Sequence, residues 1–214
     1  MIKAVIFDLD GTLLNTVEDI HIVLNESLQY FGLSAVSSED TRKFLGNGAK
    51  KLVEKAVGER RDLQQKVYEY YALKFARCAN EKTTLYDGAA EGLKTLKNAG
   101  IKLAIISNKP QDATNAVYAK YLAKFKFSEV LGQTEYYPLK PDPESTLTLM
   151  DKLKVKKDEC VFVGDGETDV ATAAAAGIKC ISVLWGYRSR TQLEEVGAKI
   201  FAKNFSELTN LILS

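Results

Sequence analysis

The sequence predicts an α/β protein, a doubly wound parallel sheet with a small all-helical unit inserted after its first strand. Three observations carry this reading. Short apolar, β-branched runs recur at residues 4–7, 103–106, 161–163 and 181–184, with a weaker one at 199–202. Helix-length amphipathic segments lie between the later runs, at 89–99, 112–125, 144–152 and 168–176. Alternation of this kind is the pattern of βαβ units with right-handed crossovers. The third observation is an interruption: residues 17–82 hold no convincing strand, only helical periodicity.

The first strand ends abruptly. Its apolar run passes into Asp8, Leu9, Asp10, Gly11 and Thr12, which is poor material for a core. Ending in acids puts charge at the carboxyl edge of a strand, where open α/β sheets build their sites. Asp8 and Asp10 stand two residues apart, so on an extended backbone they point the same way. Like charges held together need a cation, a proton or water between them.

In the interruption, Ile20, Val23, Leu24, Ser27, Leu28 and Phe31 recur at helical spacing, as do Leu52, Val53, Ala56 and Val57. A longer helix is predicted through Leu63, Val67, Tyr70, Tyr71, Lys74, Phe75 and Cys78. These helices read as a cap over the active edge, which divides the chain into a core of 1–16 and 83–214 and a cap of 17–82. The turn Gly46-Asn47-Gly48 precedes one of them, so its amides could face an anion or simply join two helices. Gly100 and Gly177 each follow a core helix and suit its C-terminal end.

The chain of 214 residues can bury a substantial core, and its 46% apolar and 27% charged content is that of a globular protein. A net charge of +1 gives no electrostatic reason to bind nucleic acid or an anionic membrane. No apolar run has the length of a membrane span, and the first strand is too short and too soon acidic for a signal peptide. Cys78, Cys160 and Cys180 are widely spaced without a CxxC, so neither a disulfide framework nor a thiolate metal site is expected. The expectation is a reduced, cytoplasmic protein. His21 is the single histidine, which excludes paired-histidine metal sites; on a helix it reads as structural.

Three more polar clusters close later runs. Ser107, Asn108 and Lys109 end the second. Lys140 sits in the proline-stiffened stretch Leu139-Lys140-Pro141-Asp142-Pro143. Gly164-Asp165-Gly166-Glu167-Thr168-Asp169 ends another. Taken alone, Ser107 and Asn108 suit a helix cap, Lys140 a solvated lysine, and Asp165 and Asp169 first-turn acids. Taken together, each at the end of a predicted strand, they point to one site.

These four motifs, in this order, resemble the haloacid dehalogenase-like phosphohydrolases, and the resemblance covers nearly the whole chain. The stretches Phe44-Leu45-Gly46-Asn47-Gly48-Ala49 and Trp185-Gly186-Tyr187-Arg188-Ser189 look like phosphoglycolate phosphatases and their close relatives. Asn15 and Thr16 depart mildly from the family pattern, outside the catalytic acids. The resemblance implies a Rossmann-like core and an Asp8 nucleophile that becomes an aspartyl-phosphate, a carboxylate dividing hydrolysis into two steps. It implies Asp10 as general acid and base, and its presence favours phosphate esters over carbon–halogen bonds. Mg²⁺ would be held by Asp8, the Asp10 carbonyl and Asp165, with Asp169 behind. Lys140, Gly11, Thr12, Ser107 and Asn108 would serve the phosphoryl group.

The expected partner is a small phosphorylated metabolite, 2-phosphoglycolate first, with the protein a monomer or homodimer. Gly46, Asn47, Gly48, Arg42 and Lys43, with Lys50 and Lys51, are cap candidates for a second anionic group. Alternatives are β-phosphoglucomutase-type phosphotransfer, a pyrophosphatase or nucleotidase, and a receiver-like binding protein.

Overall fold

A computed structural model describes all 214 residues. The six-stranded sheet has the order β5-β4-β1-β6-β7-β8, with every neighbouring pair parallel. Its strands are β1 (Ala4–Phe7), β4 (Lys102–Pro110), β5 (Glu129–Gln133), β6 (Cys160–Gly164), β7 (Lys179–Val183) and β8 (Ile200–Ala202). In order of appearance along the chain, the sheet therefore reads third, second, first, fourth, fifth, sixth. The order reverses at β1, and a doubly wound sheet opens a crevice at the carboxyl ends of the strands flanking such a reversal.

β1 is central because it is apolar on both faces. Val5 and Phe7 join Leu103, Ile105, Val161 and Val163 under α5 (Ala89–Asn98) and α10 (Phe205–Leu213). Ala4 and Ile6 join Ala104, Ile106 and Phe162 under α7 (Glu144–Leu153) and α8 (Glu167–Ala176). Alternate residues thus feed two cores from one sheet, as a two-residue period requires.

Residues 17–82 carry α1 (Val17–Tyr30), α2 (Ser38–Phe44), α3 (Gly48–Val57) and α4 (Gln64–Ala76). They share an apolar core of their own, built on Ile20, Leu24, Leu28, Leu52, Val53, Val67, Tyr71 and Phe75. The chain leaves the sheet through β2 (Leu14–Asn15) and returns through β3 (Thr84–Leu85), paired antiparallel. Buried Asp19 fixes that crossing, accepting from the Thr83 hydroxyl at 2.6 Å and the Lys82 amide at 3.3 Å. His21 is structural, 2.9 Å from the Thr41 hydroxyl of α2. No helix is long and apolar enough to cross a membrane.

Several elements differ from expectation. The long helix predicted through Leu63–Cys78 begins at Gln64, after a 3₁₀ turn at Arg61–Leu63, and ends before Cys78. The helix predicted over 112–125 is shorter: α6 (Gln111–Val117) gives way to a π-helical turn, Tyr118–Leu122, and a 3₁₀ turn, Ala123–Phe125. Side chains of the widened turn reach the chain returning from residues 17–82. Lys120 Nζ donates to the Ala79 carbonyl at 2.8 Å and the Tyr121 hydroxyl donates to the Asn80 carbonyl, so both hold the returning chain. β5, α2, α10 and α9 (Arg190–Glu195) are additional to the predicted elements.

Phe162 is fully buried beneath the strand ends, so Phe162→Ala is expected to destabilise the fold by about 3–5 kcal/mol. Urea unfolding measures this, and a loss under about 1 kcal/mol would contradict the packing described.

Candidate active site

The acids meet at the crevice. Asp8 follows β1, Asp165 follows β6 and Asp169 lies in the first turn of α8. Lys140 reaches them from the loop before α7. Its Nζ donates to Asp8 Oδ1 at 2.7 Å and to Asp169 Oδ1 at 2.6 Å, with all three side chains buried. The other Asp169 oxygen accepts from the Gly166 amide at 2.9 Å. Asp165 accepts from the Thr12 hydroxyl at 3.0 Å and from the Tyr187 amide at 2.7 Å. Gly11 has φ +92°, and any side chain there would collide with the Asp165 carboxylate; only glycine lets this turn close on the acids.

Oxygen atoms of Asp8, Asp165 and Asp169 all lie within 4.8 Å of one another. Fully ionised, three buried carboxylates against the one ammonium of Lys140 would leave two negative charges. Burial above all, with Asp169 adding, pushes Asp165 up to about 7. Burial likewise holds Asp8 well above the usual carboxylate range, with Lys140 opposing and Asp169 and Asp165 reinforcing. Burial works against the charge on Lys140, but Asp169 and Asp8 outweigh it and raise its pKa. An all-oxygen cluster with a surplus of two negative charges fits a hard divalent cation.

Asp10 faces the same crevice. Its carboxylate accepts from the Thr16 hydroxyl at 2.7 Å and pairs with Lys109 Nζ at 3.1 and 3.2 Å. β4 extends past the predicted run and carries Ser107, Asn108 and Lys109 within the strand. Asp8, Asp10, Ser107, Asn108, Lys109 and Lys140 line one side of a cavity of about 270 Å³. The opposite wall is supplied by α1, α3, α4 and the turn before α3, including Ile20, Leu45, Leu52, Tyr71 and Phe75.

Not every candidate reaches that cavity. Gly46 and Gly48 line it, whereas Asn47, Arg42, Lys43, Lys50 and Lys51 do not. Lys43 is exposed and paired with Glu39 at 2.7 Å, and the Arg42 guanidinium lies 5.9 Å from the Tyr187 ring. Thr12 is wholly buried behind Asp165. The Asn108 amide is a clasp: its nitrogen donates to the carbonyls of Gly46 and Lys140, both at 3.1 Å, and its oxygen accepts from the Lys140 amide at 2.8 Å.

The family model of haloacid dehalogenase-like hydrolases matches residues 5–183. The chain belongs to that family. It is 31% identical to a phosphoglycolate phosphatase of Vibrio parahaemolyticus, over 99% of this chain and 96% of that one. It is 32% identical to one of Pseudomonas fluorescens, over 96% and 78%. The crystal structure of a Lactobacillus delbrueckii protein, provisionally described as a phosphoglycolate phosphatase, superposes with a TM-score of 0.92 at 29% identity, covering 98% of both chains.

This haloacid dehalogenase-like hydrolase also uses residues to which the sequence alone assigned no role. Lys109 is one; sharing a strand face with Ser107, two residues earlier, is the signal that could have marked it. The segment after β7 supplies the others. Trp185 Nε1 donates to the Thr12 carbonyl at 3.0 Å, and any side chain at Gly186 would strike Asp165. Arg188, buried, pairs with Glu167 at 2.7 Å and donates to the carbonyls of Leu45 at 2.7 Å and Arg42 at 3.2 Å, where α2 ends. It bolts the helical unit to the sheet.

Two outcomes follow from these contacts. Arg188→Gln should raise hydrogen exchange across α2 and the following turn by about tenfold or more without unfolding the sheet, since the α2 carbonyls lose their charged donor; unchanged exchange there would contradict the bolt. Prepared without divalent metal, the hydrolase should lose stability as pH rises from about 4 to about 7. Folded Asp165 keeps its proton up to about 7, whereas the unfolded chain releases it near the ordinary carboxylate value, so the folded state binds more protons in that window. Thermal midpoints that stay flat from pH 5 to 8 without metal would count against the cluster's charge balance.

Proposed function

We propose that this hydrolase is a Mg²⁺-dependent phosphatase that cleaves a small phosphomonoester through an aspartyl-phosphate on Asp8. One observation carries the reading: Asp8 is held by Lys140 beside Asp165 and Asp169 while Asp10 opens on the same cavity. 2-Phosphoglycolate leads the candidate substrates because relatives about 30% identical over nearly the whole chain carry the name phosphoglycolate phosphatase. Residues 17–82 would act as the cap and 1–16 with 83–214 as the catalytic core. The three cysteines are free and no helix could cross a membrane, which suits work on a cytoplasmic metabolite.

Asp8 and Asp165, with the Asp10 carbonyl, would hold Mg²⁺. Bound there, the cation offsets charge between the carboxylates and the phosphoryl oxygens. An Asp8 oxygen attacks phosphorus, the ester P–O bond breaks, and its electron pair goes to the leaving oxygen. That oxygen takes the proton of an Asp10 carboxyl, which enters the step protonated and leaves it as the carboxylate paired with Lys109. Water then attacks the same phosphorus. Asp10 takes the water's proton, the bond from phosphorus to Asp8 breaks, and inorganic phosphate leaves. Lys140 and the Ser107 hydroxyl would meet the phosphoryl oxygens, and Asn108 would keep the Lys140 loop in reach.

Asp8→Asn should abolish phosphate release, and Asp10→Asn should lower it on the order of 10²–10⁴-fold with the fold intact. Release of phosphate from 2-phosphoglycolate, sugar phosphates, nucleoside monophosphates and pyrophosphate, with and without Mg²⁺, tests the reading. Turnover by Asp8→Asn comparable to the unaltered protein would sink it. An isomeric sugar phosphate in place of free phosphate would mean a mutase.

A further inference from the structure

Charge is distributed unevenly around the cavity. The wall built from residues 17–82 presents Ile20, Leu45, Leu52, Tyr68, Tyr71 and Phe75 and no ionised side chain. The cations of α2 and α3 that suggested an anion subsite lie outside the lining. On the sheet side, Lys140 is already engaged by Asp8 and Asp169. Asp112 lines the rim, where it is exposed. That leaves Lys109, whose side chain is only 4% exposed although it lines the cavity.

We propose that Lys109 selects substrates whose leaving group carries a carboxylate, by pairing with that carboxylate inside the cavity. The inference rests on the phosphatase reading above. An ammonium has three N–H donors. Those of Lys109 meet a single carboxylate, Asp10, at the long separations of 3.1 and 3.2 Å, so capacity remains for a second acceptor. The Phe75 ring, 4.7 Å from Nζ, holds the side chain in place. That ring stacks on Tyr71 at 5.4 Å and is itself part of the apolar wall.

Position favours the pairing as well. Asp10 is the group that would protonate the ester oxygen, and Lys109 lies directly against it. In 2-phosphoglycolate one methylene separates the ester oxygen from the carboxylate. A leaving group seated for protonation by Asp10 therefore brings its carboxylate to Lys109. Opposite lies an apolar wall where an unpaired carboxylate is penalised and a paired one is strengthened by exclusion of water.

The test compares 2-phosphoglycolate with ethyl phosphate, a primary alkyl ester of like size without the carboxylate. The unaltered protein should favour 2-phosphoglycolate in kcat/KM by about 30-fold or more, the scale of one buried charge pair. Lys109→Met should bring that preference within about threefold, chiefly through KM for 2-phosphoglycolate, and Lys109→Arg should keep most of it. Both substrates are read on one preparation, so the ratio is independent of the folded fraction. Calorimetric titration with glycolate in the presence of inorganic phosphate adds a readout without turnover, in which Lys109→Met should weaken binding at least tenfold. No preference in the unaltered protein, or equal losses on both esters in Lys109→Met, would overturn the inference and leave the phosphatase standing. Absence of phosphate release from every phosphomonoester would overturn the phosphatase reading itself.

Discussion

The ammonium of Lys140 is the contact on which the rest of the site depends. It lies within 2.7 Å of carboxylate oxygens from Asp8 and Asp169, and the Asp8 pair spans 132 positions of sequence. Remove it and three buried carboxylates face one another with no fixed cation among them, a grouping that self-repulsion and desolvation would split apart or protonate. Such a pair is weak ground for stability, because well-packed apolar residues of similar size would hold the segments together as well. What it supplies is a carboxylate at the end of β1 held in one orientation at the cavity floor.

Positioning Lys140 is in turn the work of Asn108. Its amide oxygen accepts from the Lys140 amide while its nitrogen donates to the carbonyls of Lys140 and Gly46. One side chain thus joins a sheet strand, the lysine loop and the turn before α3. Arg188 does similar work from the other side, linking Glu167 in α8 to the end of α2. The sheet edge and the helical wall facing it are therefore joined through polar contacts. The hairpin of β2 and β3, with Asp19 tied to Thr83, adds a second tie between them.

Much of this was legible in the sequence, for physical reasons. β1, β4, β6 and β7 have neighbours on both sides in the sheet, so their runs are largely apolar, and those of β1, β4 and β6 end abruptly in polar residues. β5 is an edge strand whose residues are mostly half-buried; Glu129 and Gly132 interrupt its run, and it leaves no such trace. The π-helical turn at Tyr118–Leu122 leaves no trace for another reason: its side chains contact Ala79 and Asn80, some 40 residues away, and periodicity is local. Asp8 and Asp10 stand out because charge at a strand end has no packing explanation, whereas Asp165, Asp169 and Lys140 gain meaning only from their order along the chain and the family resemblance. Arg42 and Lys43 drew attention as charges near a glycine turn, yet exposed charge is cheap and carries little information. Lys109 is the opposite case. It reads as the tail of a strand, with its place on the Ser107 face as the one local signal, and its burial beside Asp10 and Phe75 comes from the fold.

The cavity divides its labour between two surfaces. The floor, from the sheet, holds every ionised group of the chemistry; the roof, from α1, α3 and α4, is apolar and aromatic. A roof without charge cannot stabilise a transition state directly. By excluding water it lowers the local dielectric, so each interaction on the floor is strengthened in proportion, including the repulsions. A charge left unpaired beneath such a roof is penalised more heavily than one in water. On this arrangement, discrimination among leaving groups would need no dedicated contact from the roof: it would follow from how completely the charges of floor and substrate pair.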